Sequence, residues 1–236
     1  MPSVASSSLA VTLMVAGYLC ARCTISPNPS PDRAKRYQSD RLASLVDFFA
    51  VTWERLLLLA SGYHALVALF YPPEHNPRLE MFCPHPENLS DEHLTWNRTI
   101  LTYLGFIFVG AFIRLSAYGG LGRNFTFHLS NPDRLITSGV YQYMQHPSYT
   151  GAALLTFGMA GVLVRWDAAA GACWMQPWMM QLLDGYGYIF AVSWGIFFVG
   201  VIRMRVADEE RMLKEQFGKD WEEWHRQTKR FIPGIV

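Results

Sequence analysis

A crowded polar and aromatic stretch, GVYQYMQHPSYTG at 139–151, stands between loop sequence and a strongly apolar run. Pro147 restricts His146 to extended backbone and suits the first turn of the helix that follows. Ser148 and the free amides of that helix start can bind an anion or a carboxylate. The stretch also holds aromatic rings that can face a cation: Tyr141, Tyr143 and Tyr149. A single histidine is usually structural, but this grouping predicts a binding site.

A cation and an anion form a second candidate group near the C-terminus. Arg205 and Glu209 follow an apolar run and, at i and i+4, share one face of a helix. Together they could hold a ligand that carries both charges. Further hydrogen-bonding side chains are predicted on the same side of the membrane: Asn124, Thr126 and His128.

The motifs of several other site classes are missing from the sequence. It contains no GxGxxG after a strand, no P-loop, no HExxH and no GxSxG. A Rossmann fold, metal hydrolysis and a nucleophilic serine therefore lack support, and no metal site is predicted.

The elements that must position these groups are long apolar helices. Half of the 236 residues are hydrophobic and 17% are charged. The apolar runs approach the roughly 20 residues that span a bilayer, and they lie at 8–21, 56–71, 99–113, 149–164 and 186–202. The first run lacks the preceding basic residues of a signal peptide, which favours a retained helix. The fold class predicted is an all-α polytopic membrane protein with about five transmembrane helices rather than a soluble protein.

Loop charge predicts the orientation. Basic residues fall between the first two runs (Arg33, Lys35, Arg36, Arg41) and between the third and fourth (Arg114, Arg123, Arg134). Residues 72–98 are acidic and rich in proline, and 167–184 contain no Lys or Arg. The positive-inside rule then gives a lumenal N-terminus and places 114–146 and the C-terminal tail together in the cytosol. A net charge of +1 gives no indication of a nucleic-acid partner.

Smaller features of the first hundred residues fit this orientation. The sequons at Asn88 and Asn97 fall in the predicted lumenal loop, where glycosylation is possible. Glu54 and Arg55 interrupt the second run, and we expect them near its cytosolic end, paired or reaching to the interface. Four cysteines are too few for a disulfide scaffold.

The tail at 206–230 has the spacing of amphipathic helices. Leu213 with Phe217, and Trp221 with Trp224, are at i+4 and i+3. Gly218 is expected to separate two helices, and Pro233 ends the pattern. A helix lying on the lipid surface with tryptophan anchors is the alternative to a helix that completes the site.

Two stretches resemble the isoprenylcysteine carboxyl methyltransferase family over roughly 99–236: NFTFHLSNPDRLITSGVYQYMQHPSYTG and RMRVADEERMLKEQFGKDWEEWHRQTKRFIPGI. The resemblance implies methylation, with S-adenosylmethionine, of the carboxylate of a C-terminal prenylated cysteine. The acceptors would be prenylated CaaX-type proteins or prenylcysteine small molecules. The membrane would be that of the endoplasmic reticulum, with the active site facing the cytosol. The resemblance also divides the chain into membrane helices and a lumenal loop (1–98) and a catalytic core with cytosolic helices (99–236).

The resemblance also implies roles for individual residues. Glu209 would take the amino group of the cofactor, and Arg205 would hold the substrate carboxylate. The other cofactor residues would be Asp133, Arg134, Leu135, Ile136, Tyr141, His146, Pro147, Ser148 and Tyr149. At one position the chain departs from the family, which usually has arginine before His-Pro where this chain has Gln145. Glutamine has no charge and cannot donate two parallel hydrogen bonds to a carboxylate as arginine does. Three consequences are possible: Arg203 or Arg134 compensates, cofactor binding is weaker, or the substrate differs.

Other functions remain open at the level of the sequence. A carboxylate acceptor is ionised at neutral pH and needs no general base, so positioning and exclusion of water suffice. A related enzyme could methylate a terpenoid acid or a phospholipid amine. The end of the chain, FGKDWEEWHRQTKRFIPGIV, also resembles NADPH-dependent membrane sterol reductases. A non-catalytic membrane scaffold is the fourth reading.

Overall fold

The computed structural model describes residues 2–32, 34, 36–38, 40–72 and 77–235, and the side chains of 43–51 and 188 are not described. Arg33 and Lys35, counted above among the cytosolic charges, lie outside the described residues. The α-helices, in chain order, are α1 Val4–Thr24, α2 Ala43–Phe70, α3 Asp91–Leu94, α4 Arg98–Leu121, α5 Pro147–Met159, α6 Ala169–Trp174, α7 Pro177–Leu183, α8 Gly187–Phe217 and α9 Lys219–Gln227. The described part of the chain contains isolated β-bridges but no strand, so the all-α fold is confirmed.

Four stretches of the described chain are long and apolar enough to cross a membrane: Val4–Thr24, Arg98–Asn124, Pro147–Trp174 and Ile189–Phe217. The first three contain the predicted runs 8–21, 99–113 and 149–164 and extend beyond both ends of each. The fourth begins three residues after the start of the run 186–202 and continues well past its end. The remaining run, 56–71, falls largely in α2, which has 28 residues and is not one of these four. Within α2, Glu54 is half-buried and Arg55 is exposed. The polytopic membrane fold is thus confirmed with four candidate spans.

The chain forms two compact units that are interleaved in sequence. The first contains Met1–Arg22, Glu54–Val109 and Leu154–Trp194, and the second contains Cys23–Trp53, Gly110–Ala153 and Gly195–Val236. The long helices α1, α2, α4, α5 and α8 therefore contribute residues to both. The division into 1–98 and 99–236 stays a prediction based on sequence similarity.

A disulfide between Cys83 and Cys173 links two segments of the first unit. The cysteine count gave no indication of this single bond. Both segments, 72–98 and 167–184, are those for which loop charge predicts a lumenal position. Disulfides persist in oxidising compartments, so the bond agrees with that position.

The two predicted sequons of the first unit have structural roles. Asn88 Nδ2 donates to the carbonyl oxygens of Ala172 (3.0 Å) and Met175 (2.9 Å), next to the disulfide. Asn97 accepts from the backbone N–H of Ile100 at the start of α4. Its Nδ2 donates to the carbonyl of Asp91 at 2.9 Å. Glycosylation would replace one hydrogen of each Nδ2, and each Nδ2 donates to more than one carbonyl, so the contacts favour unmodified, structural asparagines.

Close packing in the second unit fixes the start of α5 against α4. A Cβ added at Gly151 would lie 2.7 Å from the carbonyl oxygen of Gly110 and 2.8 Å from Arg114 Cβ, so only glycine fits. Arg114 then donates from Nη1 to the backbone oxygen and the hydroxyl of Ser148, each at 2.9 Å. These contacts hold the first turn of α5, which begins at Pro147 directly after His146, so residues 146–149 (HPSY) form the start of the helix.

The helix α8 continues without a break from the membrane segment into the charged tail, where the sequence had suggested a tail pattern beginning near 206. Gly218, with φ +52°, separates it from α9, as predicted. Trp221 of α9 is buried, and Trp224 donates from Nε1 to the carbonyl of Tyr141 at 3.3 Å. Both tryptophans of α9 thus pack within the second unit, in contrast to the alternative of a helix anchored in lipid.

Candidate active site

The second unit contains a cavity of about 390 Å³. All but one of the residues that the resemblance implicates line it: Arg134, Leu135, Ile136, Tyr141, His146, Pro147, Ser148, Tyr149, Arg205 and Glu209. The hydrogen-bonding residues Asn124, Thr126 and His128 line it as well. The two candidate groups recognised in the sequence therefore face one cavity, whose size is that of a typical small-molecule site. Tyr143 is the exception in the first group, because it is exposed and does not line the cavity.

The exception is Asp133, which does not line the cavity. Its carboxylate accepts hydrogen bonds from Asn124 Nδ2 and Arg123 Nη2. The bonds from Asn124 and then Arg123 lower the pKa of Asp133 below its ordinary value. The structure thus places Asp133 outside the cavity, directly before Arg134, Leu135 and Ile136, which line it.

Three polar side chains that line the cavity, His146, Tyr149 and Glu209, belong to a wider hydrogen-bond network. The hydroxyl of Tyr149 donates to Glu209 Oε2 at 2.6 Å. His146 Nδ1 lies 4.0 Å from Glu209 Oε1, is buried and has no hydrogen-bond partner. Its Nε2 lies 3.2 Å from Glu210 Oε1, which also accepts from Arg230 Nε at 2.7 Å. A buried polar atom without a partner is costly, so His146 Nδ1 and Glu209 Oε1 are suited to a polar ligand group.

The predicted carboxylate-binding residue has a partner that the sequence did not suggest. Arg205 Nη1 lies 2.6 Å from Asp40 Oδ1, and its Nη2 donates to the carbonyl of Phe127. The two side chains are 9% and 3% exposed. Burial raises the pKa of Asp40, but hydrogen bonds from Arg205 and the Leu129 N–H outweigh it and hold the pKa below its ordinary value. Asp40 is therefore ionised and shares the positive charge of Arg205.

An aromatic corner closes another part of the cavity. Tyr141 is buried against Gly120, where an added Cβ would lie 3.1 Å from its ring. Burial, together with the negative charge of Glu209, raises the pKa of the Tyr141 phenol well above its ordinary value, so it stays neutral. Trp224 lines the cavity next to it. Neutral aromatic faces of this kind suit a positively charged ligand group.

Gln145, the departure from the family pattern, is buried and holds the C-terminal segment. Its Nε2 donates to the carbonyl oxygens of His225 (3.0 Å) and Thr228, and its Oε1 accepts from His225 Nδ1 at 2.7 Å. Backbone bonds from Gln145 and His146 to the carbonyls of Lys229 and Arg230 extend the contact. The amide thus serves as both donor and acceptor, a combination that arginine cannot offer. Arg134 lines the cavity, whereas Arg203 is exposed and does not.

Several cavity residues were not recognised as such in the sequence. Arg114, treated there only as a loop charge, lies in α4 and lines the cavity. Leu42 and Trp53 line it from the segment before α2 and from α2 itself. Apolar side chains of α5 and α8 complete the lining: Ala152, Phe198, Val201 and Ile202. The sequence does contain a signal for the cavity residues of α8. Phe198, Ile202, Arg205 and Glu209 are spaced at the helical period and therefore lie on one face of the helix.

Comparison with known proteins finds similarity to methyltransferases. A family model of phospholipid methyltransferases matches residues 98–184. The chain is similar to a protein-S-isoprenylcysteine O-methyltransferase of Dictyostelium discoideum, 30% identical over 130 residues that cover 53% of this chain and 46% of that one. It is 26% identical over 136 residues to the Schizosaccharomyces pombe protein of the same name, covering 56% and 48%. It is also 28% identical over 141 residues to a probable protein-S-isoprenylcysteine O-methyltransferase of Oryza sativa subsp. indica, and the match covers 57% of this chain and 62% of that one. The chain thus spans about half the length of the curated relatives it matches, and the resemblance to this family is confirmed.

Proposed function

We propose that this protein transfers a methyl group from S-adenosylmethionine to the carboxylate of a C-terminal prenylated cysteine. The observation that carries the proposal is one cavity in which Arg205 and Glu209 of α8 face the HPSY start of α5. The relatives named as isoprenylcysteine methyltransferases support the same reaction class.

The residues present fit the cofactor. Its ammonium group would be held by Glu209, whose Oε2 is already oriented by Tyr149 at 2.6 Å. The buried Nδ1 of His146 would gain the partner it lacks. Tyr141 and Trp224 would present aromatic faces to the sulfonium. When bound, S-adenosylmethionine supplies a methyl group on a positively charged sulfur, and its transfer to a carboxylate oxygen breaks the carbon–sulfur bond and gives a methyl ester.

The acceptor would be held by Arg205 and by the apolar part of the cavity. Two nitrogens of Arg205 donate to Asp40 and Phe127, and an arginine has five donors, so donors remain for a carboxylate. The prenyl chain would lie against Phe198, Val201 and Ile202, which belong to a candidate membrane span. A lipid substituent could reach this wall from the bilayer.

The main task of the protein in this reaction is to position the methyl donor and the acceptor. The acceptor carboxylate is ionised at neutral pH, so no side chain has to remove a proton. Arg205 fixes one end of the acceptor, while Glu209 and the start of α5 fix the donor, which brings the two reacting atoms into line. Because opposite charges are neutralised during transfer, a cavity with largely apolar walls that excludes water favours the reaction.

The proposal places the site at the cytosolic face of the endoplasmic reticulum membrane. The helix α4 begins at Arg98, just after the segment that carries Cys83 of the disulfide. If that segment faces an oxidising compartment, one crossing brings the chain to the opposite face, where residues 124–136 line the cavity. The cytosol supplies S-adenosylmethionine, and the bilayer supplies the prenylated acceptor.

A phospholipid amine is the second candidate acceptor, because the matching family model is that of phospholipid methyltransferases. An ammonium acceptor must first lose a proton. In that case the buried Nδ1 of His146, 4.0 Å from Glu209 Oε1, would accept this proton instead of binding the ammonium group of the cofactor, which Glu209 would hold alone. The sharing of the Arg205 charge with Asp40 would also reduce repulsion of an ammonium group.

A comparison of acceptors tests the proposal. The purified protein in nanodiscs would be incubated with S-adenosylmethionine labelled in the methyl group, and with either N-acetyl-S-farnesylcysteine or phosphatidylethanolamine. We expect label on the farnesylcysteine that base releases as methanol, as a methyl ester requires. Base-stable label on the phospholipid alone would favour the second candidate, and no label on either acceptor would contradict both.

A further inference from the structure

The ion pair between Asp40 and Arg205 joins the cavity to a part of the chain outside the region of family similarity. Asp40 belongs to the segment between α1 and α2, whereas the family model begins at residue 98. Its Oδ1 lies 2.6 Å from Arg205 Nη1 and accepts from the Leu42 N–H at 3.1 Å. Its Oδ2 accepts from the Leu129 N–H at 3.0 Å. Both oxygens are therefore used, and the carboxylate has a fixed orientation.

Asp40 acts on the cavity only through Arg205. Arg205 lines the cavity, but Asp40 does not. A ligand can thus bind beside Arg205 without displacing Asp40. The neighbouring residue Arg41 secures the same segment to α8, since its Nη2 donates to the buried Asp208 at 2.8 Å. Tyr37 adds a third contact, donating from its hydroxyl to Glu215 Oε2 at 2.9 Å.

Sharing one guanidinium between two carboxylates has a consequence for methyl transfer. An unshared arginine would hold an acceptor carboxylate bidentately and strongly. That interaction weakens as the carboxylate becomes a neutral ester, so it would stabilise the bound acceptor more than the transition state. The negative charge of Asp40 weakens the hold of Arg205 on the bound acceptor carboxylate, so less stabilisation is lost as the ester forms. The guanidinium group of Arg205 still keeps its orientation.

We propose that Asp40 is a positioning residue that limits how tightly Arg205 holds the acceptor carboxylate and so favours turnover over retention. This rests on the proposed function, since it takes a carboxylate as the acceptor. The segment between α1 and α2 would thereby help the protein to distinguish the acceptor acid from its methyl ester product.

The variant Asp40→Asn tests the inference because asparagine keeps the shape and an oxygen acceptor but removes the charge. Removal of one negative charge a few ångströms behind Arg205 should tighten binding of the acid relative to the ester by on the order of tenfold. In turnover, KM for the acceptor and kcat should both fall. A residue with a structural role alone would lower kcat without lowering KM.

The measurement is equilibrium binding of N-acetyl-S-farnesylcysteine and of its methyl ester to the protein in nanodiscs, with S-adenosylhomocysteine present. Because the partition of each ligand into lipid is the same for every variant, it cancels when the ratio of the two affinities is compared between variant and wild type. The matched control is Tyr37→Phe, which removes another contact of the same segment with α8 and should leave the ratio unchanged. Circular dichroism and S-adenosylhomocysteine affinity confirm that each variant is folded.

The outcomes separate this inference from the proposed function. A shift of the ratio in Asp40→Asn supports the role of Asp40 even if the wild-type protein methylates a different acceptor. An unchanged or reversed ratio in a folded Asp40→Asn protein overturns it, even if the wild type methylates farnesylcysteine. An equal shift in Tyr37→Phe also overturns it, because the effect would then come from the attachment of the segment.

Discussion

The charge of Glu209 should account for much of the affinity for the methyl donor. The change Glu209→Gln keeps the length of the side chain and an oxygen that can accept from Tyr149, which donates to Glu209 at 2.6 Å. What it removes is the negative charge opposite the ammonium group of the ligand. Its side chain is 24% exposed, so solvent screens the charge only in part.

The size of the effect follows from this geometry. A hydrogen bond between charged partners contributes about 1.5–3 kcal/mol, which corresponds to a rise in Kd of about 10- to 150-fold. Glutamine can still accept a neutral hydrogen bond, which places the expected value toward the lower end. The stability of the protein should change little, because the Tyr149 hydroxyl keeps a partner.

Isothermal titration calorimetry with S-adenosylhomocysteine measures this directly, since that molecule keeps the ammonium group and cannot react. The matched control is Glu215→Gln, because Glu215 lies on the same helix, accepts from a tyrosine hydroxyl at 2.9 Å and does not line the cavity. We expect a rise in Kd of at least tenfold for Glu209→Gln and less than twofold for Glu215→Gln. Equal effects of the two changes would refute the reasoning.

Three further predictions concern the surroundings of the site. Gln145→Arg should lower the melting temperature rather than raise activity, because arginine cannot accept from His225 Nδ1; thermal unfolding and turnover of the same preparation decide between the two. Cys83→Ser should cost about 2–5 kcal/mol of stability, seen as a lower thermal midpoint, and the wild type under reducing conditions should match the variant. The pKa of Asp40 is lowered from 3.8 in the folded protein, so its stabilising contribution is complete above that value and is lost as the pH falls through the lowered folded-state pKa. Asp40→Asn should therefore unfold more readily than the wild type at neutral pH, and the difference should shrink in strong acid.

Much of the site could be predicted from the sequence because its parts are local. The HPSY start of α5 is defined by proline and by the apolar run after it. Arg205 and Glu209 are one helical turn apart, so their shared face follows from the period of the helix. Gly218 marks the helix end because its backbone adopts a positive φ.

The remaining parts depend on contacts between distant residues, which no local pattern encodes. Asp40 meets Arg205 across 165 positions of the chain. Comparison with the family shows only that Gln145 lacks the charge of the usual arginine. Its contacts with His225 and Thr228 show why an amide suits the position. The pairing of Cys83 with Cys173 joins two residues separated by 90 positions.

The central claim is that the cavity of the second unit holds the methyl donor beside the acceptor. Ultraviolet cross-linking of radiolabelled S-adenosylmethionine to the protein in nanodiscs, followed by peptide mapping, tests it directly. Label should be found in the peptides that contain 134–149 and 205–213, and excess S-adenosylhomocysteine or Glu209→Gln should reduce it strongly. Label confined to residues of the first unit, or unaffected by Glu209→Gln, would contradict the account.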